Sequence, residues 1–326
     1  MNRRQFMAAA LGGAAAWPST AGAEAASTPP EIGFLYAGNS AAGVPRIAAF
    51  LQGLASKGYV DGRNITLVAR NAESKSDQFE PLARELVGRH VRVLFASGPG
   101  VVRSARAATS TTPIVAMDLE SDPVKDGLVA SIAHPGGNLT GLFFDFPQFS
   151  AKWLQLLTEA VPGLSRLAVL WDPGTGSLQL DEVTAQARSR GLTLQLLKAN
   201  APAELEPALQ SAADARADGL LVLSSPLFGT NPKAVADLAL KYRLPAITLF
   251  PEFARVGGLM AYGTNLIDLF FQAGVLVGKV LDGTRTEDLP LERPSRFQLV
   301  VNLQTAKALG ITIPTSLLLR ADEVIE

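Results

Sequence analysis

Apolar residues along this chain alternate between two kinds of pattern. Short unbroken runs at 32–37, 65–69, 91–96 and 114–117 read as strands buried on both faces, as in a mostly parallel sheet. Between them the apolar positions take helical spacing. Over 44–57, Ile47, Phe50, Leu51 and Leu54 share one face, and Gly58 ends the predicted helix. A second set of the same units follows, with runs at 167–171, 192–197, 219–223 and 246–250. There the segment 231–243 predicts a helix with Val235, Leu238, Ala239 and Tyr242 on one stripe and Pro232 in its first turn. The turn His134-Pro135-Gly136-Gly137-Asn138 separates the two sets, and 139–144 reads as a strand leading out of the first. A strongly apolar helix at 266–281, closed by Asp282-Gly283, then a strand at 297–302 and a short helix at 305–309 complete the pattern. The expected architecture is α/β, with two Rossmann-like lobes built on parallel sheets.

The first residues do not fit that repeat. Arg3 and Arg4 precede a small apolar run at 8–17 and then Ala21-Gly22-Ala23, the three parts of a secretory signal peptide cleaved near Ala23. The arginine pair followed by Phe6 fits the twin-arginine export signal, with the general secretory route as the alternative. The apolar run is too short to cross a hydrocarbon core ~30 Å thick. The chain has no cysteine, so neither a disulfide framework nor a thioether lipid anchor is available. These features predict a protein free in the periplasm, without a membrane anchor, and a monomer. A net charge of −1 and the absence of any basic run argue against nucleic acid as a partner.

Two open parallel sheets place a ligand crevice beyond the carboxyl ends of their strands. The loops expected there carry Asn39 and Ser40, Ser97, Gly98 and Gly100, Asp118 and Asp122 in the first lobe. In the second they carry Trp171 and Asp172, Ser224, Phe228 and Glu252. Such loops suit hydrogen bonding to a small polar molecule, although turns alone also call for Gly, Pro, Ser and Asn. The turn at Ser97-Gly98-Pro99-Gly100 departs from a dinucleotide fingerprint, with Arg103 in place of the third glycine. It leads into a helix whose first N–H groups suit a carboxylate. Asp118, Asp122 and Glu252 either pair with a ligand ammonium or cap helices. Of the aromatic residues near strand ends, Tyr36, Trp171, Phe228, Phe250, Phe253 and Tyr262, two or three offer an apolar sandwich. A catalytic constellation is missing from the pattern. The two histidines, His90 and His134, stand alone, and neither H-E-x-x-H nor G-x-S-x-G occurs. The stretch 274–279 is one residue short of a phosphate loop and lies in an apolar helix. No metal or cofactor is expected.

Whole stretches resemble one family. Gly58-Tyr59-Val60, Gly62-Arg63-Asn64-Ile65, Thr112-Pro113-Ile114-Val115, Asp122-Pro123-Val124 and Pro135-Gly136-Gly137-Asn138-Leu139-Thr140-Gly141 resemble the ABC-transporter substrate-binding proteins related to tryptophan and tyrosine uptake. So do Gly257-Gly258-Leu259-Met260-Ala261-Tyr262-Gly263 and Asn302-Leu303-Gln304-Thr305-Ala306-Lys307-Ala308-Leu309-Gly310. The resemblance implies a type I periplasmic-binding-protein fold, two lobes joined by three passes of the chain and closing on a ligand. With it the lobes are expected at 30–144 plus 265–288 and at 145–263 plus 289–326, hinged near Phe144, Gly263 and Leu289. It also implies ligand contacts at Ser40, Ser97, Asp122 and Ser224. Where the family's tryptophan binders favour Tyr-Asn, this chain has Trp171-Asp172, so a different small carboxylate is expected. The implied role is a receptor that delivers its ligand to the membrane subunits of an ABC permease. An exported sensor or enzyme on the same fold is the alternative.

Overall fold

The computed structural model describes residues 28–144 and 146–326; the predicted signal segment and Asp145 lie outside the described residues. Two sheets organise the chain. The first contains β1 (Glu31–Tyr36), β2 (Thr66–Asn71), β3 (Val93–Ser97), β4 (Ile114–Asp118) and β5 (Leu139–Phe143) in the order β2-β1-β3-β4-β5, all parallel. The second contains β6 (Arg166–Trp171), β7 (Thr193–Lys198), β8 (Gly219–Val222), β9 (Ala246–Thr248), β10 (Met260–Gly263), β11 (Gln298–Asn302) and β12 (Glu323–Ile325). Its order is β12-β11-β10-β9-β8-β6-β7, and only β10 and β11 run antiparallel. The inner strands β3, β4 and β8 are buried along their whole length, as their unbroken apolar runs require.

Helices cover both faces. In the first unit they are α1 (Ser40–Ser56), α2 (Phe79–Gly88) and α3 (Pro99–Ala108), and in the second α4 (Phe146–Ala160), α5 (Leu178–Ser189), α6 (Leu205–Asp214), α7 (Pro226–Thr230), α8 (Pro232–Lys241) and α9 (Pro251–Arg255). Then α10 (Leu266–Leu281) packs back on the first sheet, before α11 (Leu303–Leu309) and α12 (Thr315–Leu318) close the second. The predicted start of α1 at residue 44 is corrected to Ser40, because Asn39 caps it by accepting the Ala42 N–H at 2.8 Å. Pro45 therefore lies inside the helix rather than at its start.

The contact between α1 and α10 is unusually close. A Cβ at Gly53 would stand 2.0 Å from the Phe271 carbonyl oxygen, and one at Gly274 would stand 2.1 Å from that of Phe50. Two bare glycines thus let the backbones touch. Beneath them Phe34, Phe50, Phe95 and Phe270 form one stack with ring centroids 4.9–6.1 Å apart.

The chain passes between the two units after β5, after β10 and before β11. Phe144, Tyr262 and Phe297, one from each pass, meet around Phe149 with centroids 4.2–6.0 Å from its ring. Trp153 Nε1 donates to the Tyr262 carbonyl at 2.7 Å. The third pass falls later than the expected Leu289. Leu291 donates to Ile132, and Glu292 exchanges backbone hydrogen bonds with Gly141 and Phe143, so this segment lies along the edge of the first sheet.

Gly53→Ala is expected to destabilise the protein by about 1–3 kcal/mol, because the added methyl meets backbone that cannot rotate away. Thermal melting followed by circular dichroism checks it; an unchanged melting temperature would show that the two helices have room to separate.

Candidate ligand-binding site

Both sheets repeat the order 2-1-3-4-5 counted along their own parallel strands, so each has its switch point between its first and third strand. Loops leave in opposite directions there and open a crevice. The loops after β1 and β3 of one unit face those after β6 and β8 of the other. Between them lies a cleft lined by Tyr36, Arg46, Ser97, Gly98 and Glu120 of the first unit, by Ser225, Pro226, Gly229 and Phe250 of the second, and by Leu266 and Phe270 of α10.

Arg46 is the unusual member. It is the only charged residue of α1 and is 8% exposed. Its guanidinium lies 5.0 Å from the Tyr36 ring centre and 5.8 Å from that of Phe270, and Nη2 donates to the Gly229 carbonyl at 2.8 Å. Among the described residues no carboxylate comes within ion-pair distance of it. Burial lowers its pKa to about 10, the field of Glu252 opposing, so it stays charged at neutral pH. The Tyr36 hydroxyl is buried without a hydrogen-bond partner. The Ser97 hydroxyl, on a residue 4% exposed, also finds none among the described residues. Two hydroxyls without partners among the described residues, Tyr36 and Ser97, therefore line one cleft with a guanidinium whose one protein acceptor is the Gly229 carbonyl. Gly98, with φ at 105°, turns the chain from β3 into α3, and a Cβ there would meet Ala37 at 3.0 Å and Pro226 at 3.1 Å.

The acids behave differently. Ser224 Oγ donates to Glu120 Oε1 at 2.6 Å, a buried bond between the two units, and the Leu119 N–H reaches Glu120 Oε2 at 3.2 Å. Gln179 clamps the Ser224 backbone from both sides, at 2.7 and 2.9 Å. Asp118 Oδ1 accepts the N–H groups of Glu120 and Ser121, at 3.1 and 3.0 Å. Asp172 accepts Ser225 Oγ at 2.5 Å and the Gly174 N–H at 2.8 Å.

A profile of the family described as "ABC transporter substrate binding protein" matches residues 44–325. The chain belongs to that family. It is 26% identical over 264 residues to a tyrosine-binding protein of Clostridioides difficile (strain R20291), spanning 80% of this chain and 75% of that one. A conserved domain protein of Vibrio cholerae superposes with a TM-score of 0.84 at 25% identity over 91% of this chain and all of the other. An ABC domain from Streptococcus pneumonia in complex with L-Trp gives 0.83 at 23% identity, over 91% of this chain and 100% of that one. The fold is the two-lobe α/β architecture of type I periplasmic binding proteins.

Of the residues expected from the sequence, this substrate-binding protein brings Ser97 and Gly98 into the cleft beside Arg46. Gly100 and Asp172 line a separate pocket that meets the cleft at Pro226, so the α3 N-terminus opens there rather than at Ser97. Phe228 and Glu252 line an adjoining cavity. Ser224 lies behind the wall, bonded to Glu120. The others are occupied elsewhere. Asn39 caps α1, and exposed Ser40 is held by Glu73. Asp122 caps the N–H groups of Val124 and Lys125, at 3.1 Å each, away from the cleft. Trp171 donates to the Gly176 carbonyl at 2.8 Å. Arg46, Glu120 and Gln179 were not among the expected residues, although a lone arginine one turn before Phe50 on a buried stripe was a readable signal.

Burial, and after it the charge of Asp118, pushes the Glu120 pKa up to about 8, against the pull of Ser224 and the Leu119 N–H. Burial raises Asp118 and Asp172 as well, and Arg103 opposes this at Asp118. A pKa raised above that of a solvated carboxylate means that burying Glu120 takes up a proton. The stabilisation is full at low pH and is lost as pH rises through about 8. Ligand affinity measured by calorimetry is expected to fall over that range, and Glu120→Gln to flatten the profile; an equally steep profile in the variant would place the titration elsewhere.

Proposed function

We propose that this chain is a periplasmic receptor that closes on a small organic carboxylate, an amino acid or aromatic acid, and presents it to the membrane subunits of an ABC permease. The observation that carries this reading is the convergence of the Arg46 guanidinium, whose one protein acceptor is the Gly229 carbonyl, with the unpartnered Tyr36 and Ser97 hydroxyls on one cleft whose other walls are Phe250, Leu266 and Phe270. A buried guanidinium with most of its N–H groups unused is costly unless an anion completes it. The apolar walls suit the body of such a ligand. The tyrosine-binding relative and the L-Trp complex support an amino acid or aromatic acid.

Residues 30–144 with 265–293 form one proposed lobe and 145–263 with 294–326 the other, turning about the ring cluster at Phe144, Tyr262 and Phe297. The leader at 1–23 is the proposed export signal, cleaved near Ala23. No helix among the described residues is long and apolar enough to cross a membrane.

A thermal-shift screen of amino acids, aromatic acids and other small carboxylates identifies a ligand by its stabilisation. For that ligand, Arg46→Met is expected to weaken binding by about 3 kcal/mol, roughly a hundredfold, and Ser97→Ala by roughly tenfold. The ligand's methyl ester is expected to lose at least as much as the Arg46 variant costs, and mass spectrometry to recover the acid unchanged. Equal affinity for acid and ester would overturn the anionic reading, and recovery of a product would make the chain an enzyme.

A further inference from the structure

The cleft at Arg46 does not end at Phe250. It continues into a cavity lined by Phe228, Thr248, Glu252 and Phe253, and four residues, Ser225, Gly229, Phe250 and Leu266, line both spaces. Arg46 lines only the first and Glu252 only the second. Burial pushes the Glu252 carboxyl up, opposed by its own backbone N–H, then by the charge of Arg255 and then by that of Arg46. Yet Glu252 and Arg46 do not meet: Nη2 of Arg46 is turned to the Gly229 carbonyl, and Oε2 of Glu252 is buried with no hydrogen-bond partner. The nearby Arg255 is engaged with Glu323 at 2.7 Å.

The remaining acids of the cleft are already supplied with donors. Both oxygens of Glu120 and both of Asp172 accept hydrogen bonds from the protein, and Asp118 lines neither cavity. Of the acids that line these spaces, only Glu252 has an oxygen in want of a donor. In an α-amino acid both charges sit on one carbon, so their partners must be neighbours. Here the unmatched positive and negative groups lie in different cavities, joined by a stretch whose large members are Phe250 and Leu266.

We infer that Glu252 receives the cationic end of the ligand, so that the preferred ligand is a carboxylate whose positive group is separated from it by an apolar spacer, of the ω-amino-acid class. This rests on the reading that the carboxylate sits at Arg46. The α-ammonium of an ordinary amino acid finds no unpartnered carboxylate oxygen beside Arg46, whereas an ω-ammonium reaches one past Phe250.

Calorimetry on the mature protein with three probes tests this: hexanoate, 6-aminohexanoate and 2-aminohexanoate, repeated with the four-carbon trio. The ω-amino acid of one length is expected to bind roughly ten- to a hundredfold tighter than its plain acid and its 2-amino isomer. Glu252→Gln should bring that ratio close to one. If the plain acid or the 2-amino isomer binds as tightly at both lengths, or if Glu252→Gln weakens all three alike, the assignment of Glu252 is wrong. In that case binding of the plain acid, lost in Arg46→Met, would leave the carboxylate site standing. Failure of every probe would overturn the inference, and failure of all carboxylates in the screen would overturn the site with it. Should the glutamine variant not fold, the ratio in the wild-type protein decides alone.

Discussion

The contact of α1 with α10 at Gly53 and Gly274 sets the terms for the rest of the molecule. It binds a helix from late in the sequence onto the first sheet, and this obliges the chain to leave the second unit and return to it. The same contact places Leu266 and Phe270 beside Arg46, so the cleft receives a wall that neither sheet supplies. Helix packing and ligand recognition therefore share one piece of geometry. A shift of α10 away from α1 would open the ring stack below and remove the surface over which the guanidinium lies.

Within that frame the two kinds of charge are treated in opposite ways. The acids at the interface of the units are held by hydroxyl and N–H donors, one of them, the Ser224 hydroxyl on Glu120, delivered across the gap by the second unit. The base is held by ring faces and one carbonyl. Across the gap Glu120 thus gains a hydroxyl donor and the guanidinium a single carbonyl acceptor, which leaves most of its N–H groups unused. An interface of this kind keeps its anions in register and reserves its strongest donor for what enters.

Much of this fold was legible because strands buried on both faces leave unbroken apolar runs, and because α10 is so apolar that its predicted limits coincide with the observed ones. The short strand β10 and the edge strand β12 were not read, since four and three residues carry too little pattern. The site was half legible. The switch-point rule led to Ser97, Gly98 and Asp172, whereas Asn39 and Asp122 proved to be caps, which the same residue types serve equally well. Arg46 falls inside the helix predicted over 44–57, but its setting depends on Tyr36 and Phe270, which no spacing within that helix contains. The state of Glu120 and Glu252 depends on which donors the opposite unit brings, and no local pattern contains that.

The ring cluster at Phe144, Phe149, Tyr262 and Phe297 gives the passes between the units the character of a greased bearing. Aromatic faces can slide and re-tilt without breaking directional bonds, so resistance to bending comes from apolar area exposed to water rather than from hydrogen bonds lost. Such a resistance carries a heat-capacity change and softens on cooling. In the proposed closing motion the balance between open and shut forms is then governed in part by temperature, through residues far from the cleft at Arg46.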